Sequence, residues 1–224
     1  MLVNQERLLV LSINWIKPEV DFLVKAEVNT MKIEGHGQAA IISDADYQKI
    51  RKTIRSKKYK LLLDIARYTG ERWGAIVQLG VNDVYDESRQ ARSHITFRAA
   101  TRKANTKGKR TTRQCPVHPQ LLELLEAYRP ADASTWLFPS RINPVERITL
   151  RAADLIFRGA VVAAGLSHKG YSTHSTRRTF ITRLWEQGVD LHTIQLLTGH
   201  SDTKSLVRYI EANPERIKKA LALL

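Results

Sequence analysis

The last third of the chain sets the strongest constraint on its fold. From Thr149 onward, apolar residues recur at three- and four-residue spacing in runs from Thr149 to Gly165, Thr173 to Gly188, Asp190 to Gly199 and Ser201 to Ile210. A glycine lacks the Cβ that penalises the left-handed conformation ending many helices, so the three glycine ends read as stops. Upstream, Ser43 with Asp46 forms a capping pattern for a helix to about Lys57. "YKLLLDIARYTG" gives a second helix stopped by Gly70, and "ERWGAIVQLG" a short third ended by Gly80. Then the period changes. "SHITFRA" alternates as a strand does, and "RTTRQCPV" is its candidate partner across the basic loop "TRKANTKGKR". Pro116 and Pro119 open the helix "HPQLLELLEAY", and "STWLFPS" is a short extended piece. The expectation is a mostly α domain of the α+β class with one small β-hairpin.

At 224 residues the chain suits one good-sized domain, or one domain with a small appendage. Its hydrophobic content of 43% is ordinary, and no apolar run approaches the length of a membrane span. The N-terminus "MLVNQERLLVLSINWIKPEV" carries no signal-peptide pattern. Cys115 is the single cysteine, which excludes an internal disulfide and fits a reducing cytoplasm. The expected location is therefore cytoplasmic, with no membrane partner.

Charge gives the first functional clue. Thirty-six Lys+Arg against 22 Asp+Glu leave +14, which points to a polyanion. The surplus is also clustered. "RKTIRSKKYK" contributes Arg51, Lys52, Arg55, Lys57 and Lys58 as candidate DNA contacts. Between Ser88 and Leu122 there is no acid, and Lys103, Lys109, Arg110 and Arg113 join the candidates; Arg178 completes them.

No HExxH-type pair, zinc-type cysteine cluster, phosphate-binding glycine loop or GxSxG serine occurs, so neither metal nor cofactor is expected. What remains is a set of cations and one tyrosine. In "THSTRRTF", His174 and Arg177 lie three apart and share a helix face. Arg72 follows "TGE", His200 follows Gly199, and Tyr209 comes nine residues later. Such a set suits metal-free attack on a phosphodiester. Guanidinium forks match the non-bridging oxygens, and nearby cations favour the phenolate of a tyrosine nucleophile. A lysine on the hairpin would protonate the leaving oxygen, with Lys103, Lys107 and Lys109 all available.

In order and spacing, "THSTRRTFITRLWEQGVDLHTIQLLTGHSDTKSLVRYI" (Thr173 to Ile210) resembles the C-terminal signature of the tyrosine recombinases, also called the phage integrase family. "ARYTGERWGAIVQL" resembles its first-arginine segment, and "NTKGKRTTRQCPV" the hairpin bearing its lysine. The resemblance implies a catalytic domain over residues 43–212, after a short segment 1–42 and before a tail 213–224. It assigns Tyr209 as nucleophile, Arg72 and Arg177 as phosphate clamps, and His174 and His200 as assisting groups. Lys107 best fits the lysine's place, with Lys103 and Lys109 left open. Double-stranded DNA is the implied partner, cut through a 3′-phosphotyrosyl link. The apolar stripe Ile217, Ala220, Leu221 and Leu224 suits packing on its own domain; the resemblance implies instead that the tail docks into a neighbouring protomer, giving a homo-oligomer on DNA.

Three departures stand out. Ala75 occupies the place, three after the first arginine, where an acid is usual. Thr198 replaces the usual leucine before the Gly-His pair. Residues 1–42 are too few for the family's N-terminal DNA clamp. A non-catalytic helix-turn-helix regulator, an inactive homologue and a type IB topoisomerase remain as alternatives.

Overall fold

The computed structural model describes residues 39–102, 104, 108, 110–131, 134–200, 203–207, 209 and 222. Most of the expected segment 1–42 and all of the tail 213–224 except Ala222 lie outside the described residues. The chain forms α1 (Asp44–Thr53), α2 (Lys57–Thr69), α3 (Trp73–Ile76), β1 (His94–Phe97), β2 (Arg113–Pro116), α4 (Pro119–Glu126), α5 (Leu150–Ala163), α6 (Thr173–Glu186), α7 (Leu191–Thr198) and α8 (Lys204–Val207). No helix among the described residues is long and apolar enough to cross a membrane.

The helix starts follow the chemistry of their caps. Ser43, Thr149 and Asp190 each accept a backbone N–H from the third residue on, at 3.1, 3.1 and 3.0 Å. Two ends differ from expectation. Helix α1 stops at Thr53 rather than Lys57, because extended Ile54 turns its side chain into the core and Thr53 Oγ1 donates to the Ile50 and Ala160 carbonyls. Gly80 is not a helix stop. Its φ of −80° is extended, and it bridges Trp136 in the "STWLFPS" segment while α3 ends at Ile76.

Helix α2 is buried through Leu61, Leu62, Leu63, Ile65 and Ala66, a nearly all-round apolar surface that demands neighbours on several sides. It packs against α6, α4, α3 and α5, while α1 lies on α5. The two strands pair antiparallel, His94 opposite Pro116 and Phe97 opposite Arg113. Alternation then puts Ile95, Phe97, Arg113 and Cys115 inside. A second, smaller cluster of Ile181, Ile194 and Leu206 joins α6, α7 and α8, with Tyr209 packed against it.

Gly70 ends α2 at φ +57°, where a Cβ would overlap the Phe180 ring of α6. Gly70→Ala should therefore destabilise the fold by about 2–4 kcal/mol, combining left-handed strain with overpacking. Urea denaturation checks this; a midpoint equal to wild type would show that α2 and α6 do not meet this closely.

Candidate active site

The site assembles where three chain segments meet the middle of α6. Arg177 is 2% exposed there, and its position is fixed from both sides. Its Nη1 donates to the Gly70 carbonyl at 2.7 Å and its Nη2 to the Thr198 carbonyl at 3.1 Å. These are the unsatisfied carbonyls at the ends of α2 and α7, so one guanidinium closes two helix C-termini. Arg72 is half-buried at the start of α3. The segment carrying it is tied to α6 because Trp73 Nε1 donates to Thr176 Oγ1 at 3.1 Å. Arg72 lines a cavity of about 260 Å³ together with Ala75, Gln78, Arg102 and Arg110.

Glu71, 1% exposed, is the acid at the centre of this cluster. Arg113 Nη2 donates to its Oε2 at 3.0 Å, and Arg102 Nε stands 3.4 Å from the same oxygen. Arg177 Nη1 lies 3.7 Å from Oε1, which also accepts the Arg72 backbone N–H at 2.7 Å. Burial raises the Glu71 pKa, but Arg113 and Arg177, the Arg72 N–H and Arg102 outweigh it and hold the carboxyl below its ordinary range. Burial pushes Arg177 in the opposite sense, downward, reinforced by Arg72 and opposed by Glu71. It starts so high that it stays a cation at neutral pH. Glu71 thus supplies, from the position before Arg72, the buried carboxylate that Ala75 lacks.

The same arginines reach α7. Arg102 Nη2 donates to the Gly199 carbonyl at 3.3 Å, and Arg113 Nη1 to that of Leu197. Gly199 has φ +63°, the left-handed region that favours glycine, where the chain turns towards His200. His200 is 9% exposed. Arg177 Nη2 lies 3.0 Å from its Nε2 and 3.3 Å from its Nδ1, and Thr198 Oγ1 lies 2.6 Å from Nδ1. The His200 and Tyr209 rings are tilted at 52° with centroids 5.9 Å apart. Thr182 Oγ1 of α6 donates to the Tyr209 carbonyl at 3.0 Å, which holds the tyrosine's backbone beside the cluster.

Of the six expected catalytic residues, Arg72, Arg177, His200 and Tyr209 converge, and His174 is exposed on the first turn of α6, one turn before Arg177. Lys107, with the competing Lys103 and Lys109, lies outside the described residues. The expected DNA contacts divide. Lys52, Arg55, Lys57 and Arg110 are exposed. Arg51 is engaged with buried Asp64 through two bonds of 2.8 and 2.9 Å, and Lys58 donates to the Pro139 carbonyl at 2.7 Å. Arg113 and Arg178 are enclosed by protein. Arg113 shares the inward phase of Cys115 on β2 and pairs with Glu71, while Arg178 is buried and donates to the Ala39 carbonyl at 3.0 Å. Sequence reasoning missed Glu71 and Arg102 as members of the site. Glu71 did leave a signal, as the one acid between Asp64 and Asp83.

The phage integrase family model matches residues 40–216. A tyrosine recombinase XerD of Caulobacter vibrioides is 38% identical over 84 residues, covering 38% of this chain and 27% of that protein. A XerC-like tyrosine recombinase of Caldanaerobacter subterraneus is 26% identical over 185 residues, covering 71% and 47%. The chain spans between 27% and 59% of the length of the first curated relatives it matches. In fold it is similar to the Tn1549 transposon integrase solved in complex with transposon right-end DNA, with a TM-score of 0.62 at 16% identity, covering 85% of this chain and 67% of that one.

Glu71→Gln removes the acid that compensates three buried arginines. The expected cost is about 3–5 kcal/mol at neutral pH. Because the folded pKa is depressed, the Glu71 contribution is present above the ordinary carboxylate pKa and fades as pH falls through the folded value. Denaturant titrations of wild type and variant should therefore differ at pH 7 and converge in acid; equal stability at pH 7 would contradict the charge cluster.

Proposed function

The chain belongs to the phage integrase family, and from that premise we propose that it is the catalytic domain of a tyrosine site-specific recombinase. It would cut and rejoin double-stranded DNA without a metal ion. One observation carries this reading: Arg177 is held against His200, and the His200 ring faces the ring of Tyr209, with Arg72 a near neighbour of Arg177. An isolated helix-turn-helix has no use for that convergence. The DNA held by the structurally similar integrase supports the choice of substrate.

In this reading the scissile phosphate sits against Arg72 and Arg177, whose fixed donors stabilise the charge that builds on the non-bridging oxygens. The Tyr209 oxygen attacks phosphorus, the bond to the 5′-oxygen breaks, and a 3′-phosphotyrosyl link forms. The leaving oxygen takes a proton, for which Lys107 is the proposed donor, and His174 assists at the phosphate. Rejoining reverses the sequence: a 5′-hydroxyl attacks the phosphotyrosine and releases Tyr209. The ester linkage is conserved throughout, so no nucleotide hydrolysis is needed. Exposed Lys52, Arg55, Lys57 and Arg110 provide surface charge for the DNA backbone.

Covalent capture tests the chemistry. Incubated with nicked, fragmented source DNA in EDTA and then denatured, the wild-type chain should retain DNA, while Tyr209→Phe should retain none. Loss of the wild-type adduct in EDTA alone would defeat the metal-free mechanism. Arg177→Ala should slow adduct formation by about 10²–10³. Binding should also weaken steeply with salt, log K falling by roughly 0.9 per phosphate contact neutralised; a flat response in a filter-binding titration would remove the phosphate argument.

A further inference from the structure

Thr198 is fully buried at the end of α7, and its hydroxyl lies between two groups that restrict where its proton goes. Oγ1 is 2.6 Å from the Ile194 carbonyl oxygen and 2.6 Å from His200 Nδ1. A carbonyl oxygen only accepts, so the hydroxyl proton points to Ile194. What Oγ1 then presents to the imidazole is a lone pair. Two facing lone pairs at 2.6 Å repel, so Nδ1 carries a proton and donates it to Oγ1. Arg177 Nη2 lies 3.0 Å from Nε2 and 3.3 Å from Nδ1, over the face of the ring, so it does not itself select a tautomer. With Nδ1 protonated against Thr198 Oγ1, Nε2 is the unprotonated nitrogen of a neutral ring. The His200 backbone is held as well, its N–H on the Gln195 carbonyl at 3.3 Å and its carbonyl accepting from Gln195 Nε2 at 3.2 Å.

We propose that Thr198 is a positioning residue that fixes His200 in its Nδ1–H tautomer. The role in cleavage rests on the function proposed above. With Nδ1–H committed to Thr198 in both the neutral and the cationic ring, any proton gained or lost at His200 is exchanged at Nε2, the nitrogen nearest Arg177. A cationic ring donates there to a phosphate oxygen. A leucine at position 198 has no hydroxyl and leaves the tautomer to chance, so the departure noted in the sequence has a chemical consequence.

The test uses the full chain labelled with 15N-histidine. Long-range proton–nitrogen correlation spectra report the tautomer of each ring, and a His200→Gln variant identifies the signal. Wild type should show the Nδ1–H pattern at His200. Thr198→Val, which keeps the volume and removes the hydroxyl, should move the ring away from it, and Thr198→Ser should recover it. In covalent capture, Thr198→Val should slow adduct formation roughly 10–100-fold, the usual scale for losing the partner that orients a functional histidine, without weakening DNA binding. Thr198→Ser should recover most of the rate. An unchanged His200 spectrum in Thr198→Val overturns the proposal, whatever the activity. A shifted tautomer with an unchanged cleavage rate overturns the positioning role. If wild type forms no adduct at all, the recombinase reading fails, while the spectra still decide whether Thr198 governs the ring.

Discussion

The structure depends on one buried carboxylate. Glu71 touches Arg113, Arg102 and Arg177 and accepts the backbone N–H of Arg72, which brings β2, the hairpin stem, α6 and the start of α3 to one point. An ionised group at 1% exposure is tolerable only with partners of opposite charge, and those partners would repel one another without it. Four arginines against one carboxylate leave three positive charges in the cluster. Under the proposed function, that surplus is what would meet the charge of a phosphate diester.

The second source of order is the set of helix ends. Helices α2 and α7 finish with carbonyls that have no partner in their own helix. Those of Gly70, Leu197, Thr198 and Gly199 accept from Arg177, Arg113 and Arg102 instead. The arginines gain fixed rotamers, and the helix ends gain caps with the favoured sign of charge. Preorganised donors of this kind need little rearrangement when a charged transition state forms, which is the physical basis of their effect on rate.

Much of this was legible beforehand. Helices in the last third, the glycine stops at Gly70 and Gly199, and the hairpin pairing all follow from spacing and backbone sterics. The convergence of Arg72, Arg177, His200 and Tyr209 was suggested by order and helix placement. For Arg113, charge alone does not say where the side chain lies; its strand phase does. On a strand, residue 113 shares a face with Cys115, and a buried acid made that inward position acceptable. The burial of Arg178 is not legible in the sequence, because helix periodicity does not say which neighbours surround a helix, and α6 is enclosed on the side that carries it. Ala75 looked like a missing acid until the turn before Arg72 brought Glu71 into the same cluster.

The sequence by itself determined the elements and the chemical types: where helices start and stop, which strands alternate, and that basic side chains, two imidazoles and a tyrosine accompany one another. These are local matters of backbone sterics, capping and periodicity. Only the tertiary structure decided which arginines stay exposed and which are enclosed by protein, that Glu71 compensates the enclosed ones, and that Thr198 sits against His200. Those outcomes depend on contacts between residues far apart in the chain, such as the 42 positions that separate Glu71 from Arg113. A charge buried in a low-dielectric interior is stabilised by whatever lies within a few ångströms, and only the folded chain sets those neighbours.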